Sequence, residues 1–137
     1  MSPETNKRIR QLVEESAAVI TLTGQQLAER IAEAAEVIIT SLRDGGNLFV
    51  FGNGGSAADA QHIVGELVGR FRRDRKAYRA EALTTDASVM TALANDFGFE
   101  QVFAHQLAGK GVAGDVAVGL STSGNSANVV AALAQAR

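Results

Sequence analysis

The run Leu48-Phe49-Val50-Phe51 closes abruptly into Gly52-Asn53-Gly54-Gly55-Ser56, and this junction constrains the fold more than any other stretch of the chain. A short, continuous apolar run reads as a strand covered on both faces, the pattern of a parallel sheet. The glycines let the backbone approach a ligand and expose N–H groups at the start of the next helix. Asp115-Val116-Ala117-Val118-Gly119-Leu120 repeats the arrangement, leading into Ser121-Thr122-Ser123-Gly124-Asn125-Ser126 and a further helix. A weaker strand lies at Ala80 to Leu83.

Helical spacing fills the intervals. Two amphipathic helices open the chain, the first carrying Leu12, Val13, Ser16, Val19 and Ile20 on one side. The second carries Leu27, Ile31, Ala34, Ala35, Ile38 and Leu42, and Asp44-Gly45-Gly46 ends it. Residues 1–44 are therefore expected to form an N-terminal helical hairpin. Ser56 can N-cap a helix from about Ala57 to Arg72. Helical stretches around Ala87–Ala94 and Gln101–Leu107 are separated by Asn95-Asp96-Phe97-Gly98. Alternating strands and helices predict an α/β three-layer sandwich with a parallel sheet in one domain, residues 45–137 forming its core. Open sheets of this class usually carry about five or six strands. Three visible strands imply a core that continues beyond Arg137.

Composition narrows the function classes. In 137 residues the chain has no cysteine, which excludes thiol catalysis and disulfides. The N-terminus lacks the apolar core of a signal peptide, and no run approaches the ~18 apolar residues of a membrane span. A cytoplasmic protein without a membrane partner is expected. A net charge of -2 gives no basic footprint for nucleic acid. The local exception, Arg70 to Lys76, reads as a solvated helix end or as a patch that steers an anionic substrate.

In doubly wound sheets, ligands sit beyond the carboxyl ends of the strands, where loops meet helix N-termini. The loop Ser121–Ser126 offers four hydroxyls and backbone N–H groups at a positive helix end, which suits phosphate. Either loop alone is equally well read as a tight turn. Two such loops after two buried strands favour a ligand site. Neither is a P-loop, since no Gly-Lys-Ser/Thr closes it. Gly52-x-Gly54-x-x-Ala57 matches a dinucleotide fingerprint, but the acidic residue that should end the next strand is missing, and Asp86 lies well beyond that spacing.

The helix after the first loop is amphipathic. At about 100° per residue, Ala60, Ile63, Val64, Leu67, Val68 and Phe71 form an apolar stripe. Asp59, His62, Glu66 and Arg70 fall opposite, flanked by Gly65 and Gly69. His62 and Glu66, one turn apart, can hold a divalent metal or supply a carboxylate base. A plain solvated face is the alternative, and the flanking glycines speak for close approach by another backbone, such as a partner subunit.

These same residues carry a family likeness. Phe51 to His62, then Glu66, Asn95-Asp96-Phe97-Gly98, Gly114-Asp115 and Ser121 to Asn128 resemble sugar isomerase (SIS) domains, and within them the phosphoheptose isomerase family. The resemblance spans essentially the whole chain. It implies a flavodoxin-like fold and aldose–ketose isomerisation through an enediol, which makes heptose 7-phosphate for bacterial surface polysaccharides. Glu66 is then an acid/base residue, and His62 with Glu66 supply zinc ligands. Asn53, Gly54, Gly55, Asn95 and Asp96 contact the sugar; Ser121, Thr122, Ser123 and Ser126 hold the phosphate. Homotetramers with sites between subunits are implied. The family's second catalytic histidine and a glutamine zinc ligand have no counterpart here, and His105 matches no site residue. A non-catalytic relative that binds a replication initiator lacks the helix glutamate, whereas Glu66 is present.

Overall fold

The computed structural model describes residues 2–137. They form two compact units, one reaching Val37 and one comprising Ile38–Arg137. The first is helical. The helix α1 runs unbroken over Pro3–Arg43, 41 residues, so the expected N-terminal hairpin is replaced by one rod. Its physical reason lies in its hydroxyl side chains. Ser16, Thr21 and Thr23 donate their hydroxyls to the carbonyls of Leu12, Ala17 and Val19 at 2.8–2.9 Å, inside the helix rather than against it. Gly24 is tolerated there, at a loss of about 1 kcal/mol relative to alanine. Ile9, Val13, Val19, Ile20, Leu27 and Ile31 all remain exposed along this helix.

The second unit is built on β1 (Leu48–Gly52), β2 (Ala80–Ala82) and β3 (Val116–Leu120), parallel and in the order β2-β1-β3. Leu48 pairs with Ala80 on one side and with Val116 on the other, and the β1–β3 register continues to Gly52 beside Leu120. Every residue of β1 is buried, as its apolar run requires of a central strand. Successive side chains point to opposite faces, which creates two cores. Phe49 and Phe51 join Leu83, Val102, Phe103, Leu107, Val129 and Ala132 on the side of α4 (Val102–Lys110) and α5 (Ala127–Gln135). Leu48 and Val50 pack with Ala60, Val64 and Leu67 of α2 (Gly55–Val68) and with Ile38 and Leu42 at the end of α1.

Phe51 and Phe103 are fully buried, with ring centroids 5.2 Å apart. Burying each such side chain contributes about 1.5–3 kcal/mol. Gln106, also buried, donates from its amide to the Leu83 carbonyl at 3.0 Å and to the Val102 carbonyl at 2.9 Å, which ties α4 to the end of β2. At the opposite end of the sheet, Ser41 donates to the Gly114 carbonyl at 2.6 Å, and Asp115 accepts from the backbone N–H groups of Asn47 and Val112. These bonds fix the entries of β1 and β3 together, so their exits are fixed together as well. Between β2 and α4, α3 spans Ala87–Phe97, followed by a 3-10 turn at Phe99–Gln101. The expected separator thus forms largely the last turn of α3.

Candidate functional site

The two loops leave the sheet side by side, because β1 and β3 are neighbours with Gly52 opposite Leu120. Gly52 allows that closeness. A Cβ there would stand 2.7 Å from the Leu120 carbonyl oxygen and 2.8 Å from the Ser56 Cβ. Gly54, at φ 56° and ψ -119°, is the N-cap of α2, a conformation that a side chain would strain. Ser56, expected as the cap, instead lies within the first turn, and no side chain caps this helix. The Gly54 geometry supplies the turn itself, with Ser56 and Ala57 donating their N–H groups to the carbonyls of Asn53 and Gly54.

After β3, three hydroxyls converge. Ser121 Oγ lies 2.9 Å from Ser126 Oγ and 3.4 Å from Ser123 Oγ, and Ser123 Oγ also accepts the Asn125 N–H. Ser126 is the N-cap of α5 but its side chain makes no capping bond, and the helical ladder starts with Val130 N–H on the Ser126 carbonyl. The cluster thus combines adjustable O–H donors with a positive helix end, the arrangement an anion's oxygens need. Thr122 is exposed beside it.

The His62 and Glu66 side chains meet along one face of α2, with Nε2 3.4 Å from Oε1. His62 is 77% exposed and Glu66 38% exposed. Both line an open cleft of about 1120 Å³, together with Ser56, Asp59, Leu120, Ser121 and Thr122. The structure therefore brings the helix pair and the hydroxyl loop onto a single cavity. A Cβ built on Gly65 would meet nothing within 4 Å among the described residues. Asn95 and Asp96 do not line the cleft; they sit exposed at the end of α3, bonded to one another at 2.8 Å. Asn53 turns its amide onto Asn128, a partner that sequence reasoning did not single out for any role. His105 stacks on Phe97, 4.5 Å between centroids, at an exposed position of α4.

Helix α2 ends at Val68 rather than near Arg72, and Arg75 explains where. Its guanidinium donates to the carbonyls of Glu66 at 2.6 Å and Leu67 at 2.7 Å and lies over the Tyr78 ring. It satisfies the last carbonyls and complements the helix dipole there. Arg70 pairs with Asp74 at 2.6 Å, and Arg75, besides its bonds to α2, lines the cleft. Asp86, the misplaced acid of the dinucleotide fingerprint, N-caps α3 by accepting the Val89 N–H at 2.9 Å.

Fold and site together define a parallel α/β domain with two ligand-accepting loops at the carboxyl ends of adjacent strands. The SIS domain model matches residues 11–137. The chain belongs to the SIS domain family, among its phosphoheptose isomerases. It is 48% identical over 130 residues to the phosphoheptose isomerase of Aquifex aeolicus, covering 95% of this chain and 68% of that protein. Against the enzyme of Paramagnetospirillum magneticum, the identity is 50% over 127 residues, covering 93% of this chain and 66% of the relative. The solved phosphoheptose isomerase of Neisseria gonorrhoeae superposes with a TM-score of 0.89 at 43% identity, covering 96% of this chain and 68% of that one. The chain thus spans about two thirds of the length of these relatives. No helix among the described residues is long and apolar enough to cross a membrane, and none of their His, Asp and Glu side chains gather in threes to hold a metal.

Proposed function

We propose that this chain carries the substrate-binding half of an isomerase that converts sedoheptulose 7-phosphate to D-glycero-D-manno-heptose 7-phosphate. One observation carries the reading: Glu66 and the Ser121–Thr122 end of the hydroxyl loop open onto one cleft. A phosphate held by Ser121, Thr122, Ser123 and Ser126 leaves the sugar to extend past Gly54 and Gly55 toward Glu66. The carboxylate removes a proton from C1 of the ketose, the resulting enediol is reprotonated at C2, and a hydroxyl proton moves from O1's side to O2's to leave the aldehyde at C1. Asn95 and Asp96, which do not line the cleft of their own chain, serve the cleft of a neighbouring subunit in a homotetramer.

Zinc fits the pair His62 and Glu66. A nitrogen and a carboxylate oxygen are suitable donors, and their 3.4 Å separation resembles the edge, roughly 3.3 Å, of a tetrahedron with ~2.0–2.1 Å bonds. When bound, zinc supplies Lewis-acid stabilisation of oxygen charge. Further ligands must come from outside these residues. The cytoplasm, as the site of heptose synthesis for surface polysaccharide, completes the proposal. Glu66 favours this reading over that of a non-catalytic SIS regulator, because such a regulator has no use for a carboxylate in the cleft.

The test is proton exchange. In D2O, the full-length protein should convert sedoheptulose 7-phosphate and leave deuterium at C2 of the aldose, read by NMR. Conversion that carries no solvent deuterium and persists at the same rate in Glu66→Gln would point to a hydride shift and remove Glu66 from its role. No conversion at all would remove the substrate.

A further inference from the structure

Asn53 and Asn128 face each other across the two ligand loops. Asn53 Nδ2 donates to Asn128 Oδ1 at 2.9 Å, and Asn128 Nδ2 returns a bond to Asn53 Oδ1 at 2.9 Å. Asn53 is the first residue after β1, and Asn128 is the second residue of α5. The pair is 75 residues apart in sequence, and Asn128 is only 4% exposed. Among the described residues, no other hydrogen bond joins the loop that starts α2 to the loop that starts α5. Below them, the β1–β3 ladder ends at Gly52 and Leu120. The amide pair therefore continues the sheet's coupling one step further, by side chains, into the region where a ligand sits. Two parallel bonds between planar amides fix an angle as well as a distance, which one bond cannot do.

We propose that Asn53 and Asn128 are positioning residues whose reciprocal amide pair holds the α2 loop at a set distance from the Ser121–Ser126 hydroxyl loop. The inference rests on the isomerase reading above and adds what keeps its two halves in register. A sugar phosphate anchored at one loop presents its reacting carbons to Glu66 only when the other loop stands at the matching distance. Anchoring of the phosphate alone needs one loop. Loss of the clasp should then separate two quantities that an ordinary packing defect would change together or not at all. Turnover falls because the reacting atoms are misplaced, while affinity for free phosphate persists.

The experiment uses the full-length protein with Asn128→Leu, which keeps the size of the side chain and removes both bonds. The expected result is a fall in kcat of about 10- to 100-fold, the scale of a misplacement near 1 Å. The inhibition constant of inorganic phosphate should change by less than about threefold, since its donors are untouched. The side-chain amide protons of Asn53, followed by 15N-edited NMR, should move from protected to solvent-like. Unchanged kcat with only a lowered Tm would reduce the pair to a packing contact. Parallel loss of phosphate affinity would place Asn128 in the anion site itself. Unmoved Asn53 amide signals would show that the pair does not exist in solution. Should Asn128→Leu fail to fold, Asn128→Ala, which removes both bonds with a smaller side chain, is held to the same criteria. If the unsubstituted protein fails to isomerise sedoheptulose 7-phosphate, the functional reading falls and the amide signals alone decide the clasp.

Discussion

Replacing Gly52 by alanine tests how closely the two ligand loops must approach. The added methyl would sit 2.7 Å from the Leu120 carbonyl oxygen and 2.8 Å from the Ser56 Cβ. Each distance is roughly 0.7 Å or more short of an ordinary van der Waals contact. Neither neighbour is a flexible side-chain end. One is backbone in β3, and the other is anchored to the first turn of α2, so relief requires β1 and β3 to part at their exits. Overpacking of this kind destabilises by about 1–3 kcal/mol. For a full-length protein of about 150–250 residues, that corresponds to a Tm lower by roughly 2–12 °C. Leu120 immediately precedes Ser121, so the same displacement widens the cleft. A loss of about tenfold or more in kcat should accompany it. The assay is differential scanning fluorimetry of the full-length protein beside its isomerase rate. Gly109→Ala is the control: this helical glycine of α4 has open space around it, and alanine there should stabilise by about 0.5–1 kcal/mol. A Gly52→Ala protein with unchanged Tm and rate would refute the close-approach argument.

Three further outcomes follow from the site. Ser121→Ala with Ser123→Ala should weaken every phosphorylated ligand to a similar degree, by about tenfold or more, and leave unphosphorylated sedoheptulose unaffected by calorimetry; equal affinity of the unsubstituted protein for both sugars would sink the phosphate assignment. His62→Ala should lower the zinc content of the purified full-length protein by elemental analysis; unchanged zinc would free His62 from that role. Light scattering should give a homotetramer, covering the apolar residues that α1 leaves exposed and the open face around Gly65. A stable monomer at high micromolar concentration would contradict it.

The strand-to-loop junctions were the legible part of this sequence. A four-residue apolar run ending in glycines has few realisations, and β1 with α2 realises the expected one. The helix boundaries were less legible, because hydroxyl residues carry two meanings. Thr21 and Thr23 fall between the two expected apolar faces, and each satisfies its hydroxyl on a carbonyl one turn back, so α1 continues. The end of α2 is set by Arg75, seven residues beyond Val68, through carbonyls that a linear reading cannot pair with it. The Asn53–Asn128 pair was out of reach for the same reason. Asn at a helix start reads as a turn or cap residue, and only the adjacency of β1 and β3 brings the two amides together. The polar face of α2 was visible from spacing alone. Its sharing of a cleft with Ser121 needed the sheet order.

Glu66 is the residue on which the functional account turns, and Glu66→Gln in the full-length protein tests it most directly. The amide keeps the size of the side chain and can still contact His62, but it cannot carry the proton between C1 and C2. The measurement is kcat for sedoheptulose 7-phosphate alongside its dissociation constant. The account predicts a fall in kcat of about 100-fold or more, the scale of a positioned acid/base group, with substrate binding and Tm retained. Near-normal turnover by Glu66→Gln would contradict it and assign the proton transfer to another residue.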